Sequence, residues 1–317
     1  MACVIDPNPD VTGTGIRASI YTLCLASGVL KTLIKHITSE NNYEEFCQSL
    51  NSALQLQGLA LLCTAIVQTF QGQLTLFHAI CVLHLLSLLG FGLVAQRKYS
   101  GVGVKRWAIL AFFRAVIACA FIALTTNIWL TAPTFGSQPI CNSSTLYVVF
   151  GISIKATDDV FRYIILAFMA SMAVGWVISM IIWVIFARCL CGRRGRPTSQ
   201  DVQMFTNLWR QVKIADNWRN ELSRQLVEML IYTGINVYMI VTLEQIVARN
   251  NLSEEEKEWT FGQVLAIFVL LGVVVEVINI LLAKVDGDGR AGETSFGVGT
   301  ERRDDVRDQR LLAIGHD

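Results

Sequence analysis

The stretch FRYIILAFMASMAVGWVISMIIWVIFA, residues 161–187, carries no charged side chain after Arg162 and none of the chain's five prolines. A hydrocarbon core about 30 Å thick is crossed by roughly 20 mostly apolar helical residues, and in lipid only helices and closed barrels satisfy their own backbone groups. Residues 161–187 therefore read as a membrane-spanning helix. By the same test six further stretches qualify, at 17–35, 52–71, 74–95, 107–130, 226–247 and 261–283. The expected fold is all-α, a polytopic transmembrane bundle of seven spans. Residues 1–16 form an outer N-terminal segment, 17–285 the transmembrane domain and 286–317 a disordered tail.

Composition agrees. The chain is 53% hydrophobic and 16% charged with a mean hydropathy of +0.48, whereas soluble domains are about a quarter charged. A net charge of +1 gives no general attraction to nucleic acid, so the partner implied for most of the surface is the lipid bilayer. Lys31 and Lys35 close the first span, Gln55, Gln57 and Gln68 punctuate the second, and Gln71-Gly72-Gln73 leaves room only for a tight turn before the third. Polar positions in span two mark a helix that faces protein more than lipid.

Orientation follows from the basic residues of the loops. With the N-terminus outside, the inner side holds Lys31, Lys35, Arg97, Lys98, Lys105, Arg106, Arg188, Arg193, Arg194, Arg196, Arg210, Lys213, Arg219, Arg224, Lys284, Arg290, Arg302, Arg303, Arg307 and Arg310, which is 20 of the 26. The outer side keeps Arg17, Lys155, Arg162, Arg249 and Lys257, and Arg114 lies within span four. The C-terminus is thereby cytosolic, and the expected location is the plasma membrane. Asn142-Ser143-Ser144 and Asn251-Leu252-Ser253 read as glycosylation sequons, both in outer loops. Cys3 and Cys141 are the two cysteines in the oxidising outer space, so a disulfide is expected between them. Cys24, Cys63, Cys81 and Cys119 sit in apolar runs, where a thiol behaves as a small hydrophobe. The opening MACVIDPNPD lacks a basic segment before its apolar stretch, so the first span is expected to remain in the mature protein.

The inner connection 188–225 opens with Cys189 and Cys191 beside Arg188, Arg193 and Arg194, a setting that suits S-palmitoylation. Beyond Pro197 the apolar spacing predicts an amphipathic helix at about 198–225, with Arg210, Lys213, Arg219 and Arg224 near anionic headgroups. This connection and the tail are the expected sites for a cytosolic signalling partner.

Ionisable residues at membrane depth are costly and mark either function or helix register. His78, His84, Arg114, Glu228 and Glu276, joined by Asn279, are the candidates for a ligand pocket or ion pathway. Arg114 and Glu276 fall at matched depths in spans four and seven, which predicts an ion pair. The spacing of His78 and His84 puts them on different helix faces, so a shared metal is not expected, and no cofactor is implied. No HExxH, GxSxG or Walker pattern occurs, and Asp158-Asp159 lacks a further carboxylate of a prenyl-diphosphate motif. That acidic pair suits an outer helix N-terminus.

The run Asn8-Pro9-Asp10-Val11-Thr12-Gly13-Thr14-Gly15-Ile16-Arg17-Ala18-Ser19-Ile20-Tyr21 resembles the pattern NPDxxGxGxRxSxY of a large group of fungal polytopic membrane proteins. Leu74-Thr75-Leu76-Phe77-His78-Ala79 and Pro139-Ile140-Cys141-Asn142 resemble further pieces of the same group, whereas Thr14 departs from its usual aliphatic residue. The resemblance implies a fungal source and a multi-span fold, without a mechanism. The topology is also similar to that of G-protein-coupled receptors, but Gln96-Arg97-Lys98-Tyr99 stands where their Asp-Arg-Tyr would be, and span seven has no Asn-Pro-x-x-Tyr.

The function expected on these grounds is a non-enzymatic, receptor-like or sensory membrane protein. A homo-oligomeric ion channel with Glu276 and Asn279 along its pathway is the first alternative, and a small membrane enzyme acting on a lipid or terpenoid the second. An epitope tag at Met1 is expected to be reached by antibody on intact cells; a tag reached only after permeabilisation would reverse the topology.

Overall fold

The computed structural model describes residues 3–37, 40–90, 104–192 and 221–293. Most of the expected inner amphipathic helix, and the tail beyond Glu293, lie outside the described residues. What is described is predominantly helical: α1 Pro9–Thr12, α2 Thr14–Ile37, α3 Glu40–Phe70, α4 Leu76–Leu88, α5 Val104–Leu130, α6 Pro139–Asn142, α7 Asp159–Gly192, α8 Glu221–Arg249 and α9 Phe261–Glu293. Two strands, β1 Leu146–Val149 and β2 Ile152–Lys155, form an antiparallel hairpin. The segments Pro9–Lys35, Phe46–Phe70, Asp159–Ile181, Leu226–Arg249 and Glu254–Ile280 are long and apolar enough to cross a membrane. Leu76–Leu88 and Ala115–Leu130 are apolar but shorter. They occupy the places of the third and fourth expected spans.

Two boundaries differ most from the sequence reading. Helix α3 begins at Glu40, ahead of the expected start at 52, because hydropathy registers only the lipid-crossing part of a helix whose hydrogen bonds continue into the polar run Glu40–Gln48. Helix α9 likewise continues through Glu293, so Asp286–Glu293 belongs to that helix and not to the tail.

Helix α4 is the axis. An apolar pattern on every face suits burial from all sides, and every residue from Leu76 to Leu88 except Ser87 is buried. It packs on α2, α3, α5 and α8, while α9 lies against α2 and α3. Helix α7 packs chiefly on α5 and buries none of its apolar window within the chain. The outward faces of α7, α8 and α9, with Ile164, Phe168, Ile231, Ile235, Phe268 and Val275, are exposed. That face would cost heavily in water and nothing in lipid.

The Arg114–Glu276 expectation falls on a side chain outside the described residues. The two helices that carry these residues, α5 and α9, share α3 as a neighbour.

The turn at Gln71–Gln73 is as tight as expected. Gln73 N–H reaches back to the Gln68 carbonyl (2.9 Å) and Gly72 N–H to that of Thr69 (3.1 Å), with Gly72 at φ 66°, the glycine-terminated helix ending that satisfies the last carbonyls. At the end of the bundle that carries the N-terminal segment, Arg162 Nε and Nη2 donate to the carbonyls of Trp129 (2.9 Å) and Leu130 (2.7 Å), closing the C-terminus of α5. Asp158 Oδ1 accepts from Phe161 N–H (3.0 Å) and caps α7, the helix-start position the sequence suggests for the acidic pair. The hairpin lies against the end of α8, where Asn250 takes Leu146 N–H on Oδ1 (2.9 Å) and donates Nδ2 to the Leu146 carbonyl (2.9 Å). Tyr147 packs edge-on or tilted against Trp129 and Phe161, and burial pushes its phenol up to about 12, keeping it neutral.

The N-terminal segment closes over this end. Cys3 and Cys141 form a disulfide with Cα atoms 5.5 Å apart. Ile5 bridges to the connection after α8, its N–H on the Asn251 carbonyl (2.9 Å) and its carbonyl accepting from Ser253 N–H (3.3 Å). Cys3→Ser and Cys141→Ser are each expected to lower the unfolding free energy by about 2–4 kcal/mol and to leave one outer thiol open to an impermeant maleimide. Unreduced parent protein should not react at either position; labelling at both would remove the bond.

Candidate functional site

The polar residues of the N-terminal motif converge beneath that closure. Pro9 sets the first turn of α1 at N1, the position where its missing N–H costs nothing, and α1 then runs into α2 through Gly13. Glu256, in the 3-10 turn Glu254–Lys257 ahead of α9, receives Asn8 N–H (2.7 Å) and the Thr12 hydroxyl. Its Oε2 also lies 3.3 Å from His78 Nε2. Thr75 caps α4 by accepting His78 N–H (3.3 Å), and its hydroxyl is 2.6 Å from His78 Nδ1. One tautomer satisfies the set: Nε2–H donates to Glu256 and Nδ1 accepts from Thr75. The His78 side chain has no exposure at all. A carboxylate in such a place is stable only with its acceptor sites filled.

A second charged contact extends the network. Arg17, opening α2, pairs with Glu244 on α8, and Arg17 Nε donates to the Thr12 carbonyl (2.8 Å). The Tyr21 hydroxyl donates to the same Glu244 oxygen (2.7 Å). Asn8 Nδ2 reaches Gln68 Oε1 on α3 (2.8 Å), and Gly15 N–H reaches Gln263 Oε1 on α9 (2.9 Å). A Cβ on Gly13 would overlap the Pro9 carbonyl and the Gln263 amide, so the backbone can approach α9 only with glycine there. One layer deeper, Ser19 donates to the Ala266 carbonyl (2.7 Å), and Gln57 Nε2 to Ser19 Oγ (2.7 Å). Gln57 thus serves interhelical bonding, as expected of span two.

The stretches Asn8–Tyr21, Leu74–Ala79 and Pro139–Asn142 meet at this end of the molecule. Asn8–Tyr21 supplies the hub, Leu74–Ala79 its histidine and cap, and Pro139–Asn142 the disulfide and a buried amide. Asn142 is 1% exposed and its Nδ2 donates to the carbonyls of Ala132 and Phe135, both at 2.9 Å. This corrects its assignment as a glycosylation site, because the nitrogen that would carry the sugar is buried and holds two carbonyls. Asn251 is exposed, with only a 3.3 Å contact from Nδ2 to the Cys3 carbonyl.

The other nominated residues do not join the hub. His84 Nε2 lies 2.9 Å from the Met239 carbonyl and ties α4 to α8. Glu276 is half-buried and Asn279 exposed on α9, and Glu228 is at the opposite end of the molecule. The backbones of Cys189 and Cys191 end α7, and their side chains lie outside the described residues. Glu256, Glu244, Thr12 and Gln263 are central and were not nominated from sequence. A signal existed for one pair: Arg17 and Glu244 are opposite charges near the ends of two apolar stretches expected to lie on the same side.

In comparisons with protein-family models, curated proteins and solved structures, nothing matches this chain. Deglycosylation is expected to shift the parent and Asn142→Gln alike and to leave Asn251→Gln unshifted. Asn142→Ala, which orphans two buried carbonyls, should cost about 1–3 kcal/mol in thermal or denaturant unfolding.

Proposed function

We propose that the chain is a non-enzymatic, receptor-like or sensory protein of seven spans in a fungal surface membrane, with its N-terminus outside and its C-terminus cytosolic. The observation that supports this most is the engagement of the polar groups of the outer half. They join one hydrogen-bonded hub, Thr12–Glu256–His78 with Arg17–Glu244 beside it, that connects the N-terminal segment to α2, α4, α8 and α9. A change of state at the outer surface would therefore act on several helices at once, because charge pairs and hydrogen bonds at low dielectric have discrete arrangements. The signalling partner would bind the 188–225 connection and the tail, next to the inner ends of α7 and α8.

Amide exchange of the full chain in lipid nanodiscs tests the coupling. Glu256→Gln keeps the shape of the side chain and removes the carboxylate. It should speed exchange at the outer segment and also in the last turns of α2 and the first of α8, where the hub has no contact. A change confined to residues 3–21 and 250–263 would make the hub a static closure and remove the main support for a receptor. Unitary currents from the purified chain alone in planar bilayers would favour the homo-oligomeric channel instead. With Asn279 exposed on α9, such a pathway would run between copies.

A further inference from the structure

The end of the bundle away from the hub holds a cleft of about 290 Å³ between α2, α3 and α8. Ser27, Lys31 and Lys35 follow one another at four-residue spacing on α2, which lines them along one face of the helix, and all three border the cleft. Tyr43 closes it from α3, and Tyr232 and Glu228 from α8. Gly28 makes the approach of the two helices possible, since a Cβ there would stand 3.3 Å from the Tyr232 ring. The Tyr232 hydroxyl lies 3.4 Å from Ser27 Oγ. Lys31 Nζ donates to Asn51 Oδ1 on α3 (3.1 Å), which holds its ammonium group at the cleft wall. Both lysines, Tyr43 and Glu228 have further partners within the protein, so an arriving ligand exchanges contacts and does not fill bare charges.

Among the described residues that line the cleft two lysines stand against one carboxylate, and tyrosine and serine hydroxyls add donors that suit phosphate oxygens. The surroundings identify the source of the phosphate. On the same turns of the two helices Val29, Leu33, Leu230, Ile231 and Ile235 are exposed and apolar, a surface for acyl chains and not for a soluble ligand. We propose that this cleft seats the phosphate of an anionic phospholipid, with Lys31 and Lys35 as its cationic partners and the acyl chains along the exposed faces of α2 and α8. The lipid would bridge α2 to α8 at the end that the hub does not reach. Only the leaflet, the inner one, rests on the topology proposed above.

The full chain reconstituted in phosphatidylcholine with and without phosphatidic acid, then released for native mass spectrometry, provides the test. The parent should retain phosphatidic acid in preference to phosphatidylcholine. Lys35→Gln, at an exposed position, should weaken that retention about fivefold, and Lys31→Gln with Lys35→Gln should abolish the preference. Glu228→Gln should strengthen retention, a gain that a misfolded protein could not give. Equal retention of the two lipids by the parent, or unchanged retention in Lys35→Gln and Glu228→Gln, would overturn the site. Displacement of the lipid by inorganic phosphate would overturn the lipid assignment. Retention that follows Lys35 in a protein whose N-terminus proves cytosolic would leave the site in place and change only its leaflet.

Discussion

A carboxylate taken out of water has to be met by donors, and the position of Glu256 makes this the constraint on which the outer half of the molecule depends. Asn8 N–H, the Thr12 hydroxyl and His78 come from three separate places in the sequence. None can be supplied by α9, whose N-terminus Glu256 precedes. The N-terminal segment must therefore fold back over the helix ends before the acid can be buried, and α4 must stand at the height that brings His78 under it. An unpartnered charge at such a site costs several kcal/mol, a cost of the same order as ordering a few residues of chain. The disulfide and the Ile5 bridge then hold a segment that the hub has already drawn into place.

The two ends of α4 divide the labour. At its start Thr75 and His78 belong to the hub. Further along, His84 secures α8 by a single bond to the Met239 carbonyl, and the rest of the helix is apolar contact. The apolar contacts along α4 are close-packed and hold it from all sides, and the Arg17–Glu244 pair adds a charged contact near one end. Around α4 the polar contacts gather at the hub, and fewer of them, His84–Met239 and Lys31–Asn51 among these, join the helices along the rest. Their remaining surface is left to lipid, most completely on α7.

Much of this architecture is legible from the chain. Residues 161–187 declare a span because nothing but lipid could solvate them. Cys3 and Cys141 pair because topology leaves both on one side, and Gln57 reads as interhelical because a lone amide in an apolar run needs a protein partner. The hub was harder to read for a definite reason. Glu256 lies in Ser253–Glu258, whose composition is that of a solvated loop, and only the fold shows that one glutamate of the three in Glu254–Glu256 turns inward. Asn142 fails in the opposite sense: its sequon is a statement about neighbours in sequence, and burial is decided by Ala132 and Phe135.

The asymmetry between the ends bears on where motion is possible. Displacing α2 from α8 at the outer end breaks Arg17–Glu244 and the Tyr21 contact together, inside a layer sealed by the disulfide. At the other end the same two helices are separated by a cleft, with Gly28 against the Tyr232 ring as their close contact. Opening there disrupts contacts made by long, half-exposed side chains, which are individually weak. Among the described residues the hub thus fixes α2 against α8 through charged and buried groups, and the far end does so through the Ser27–Tyr232 contact and the side chains that border the cleft.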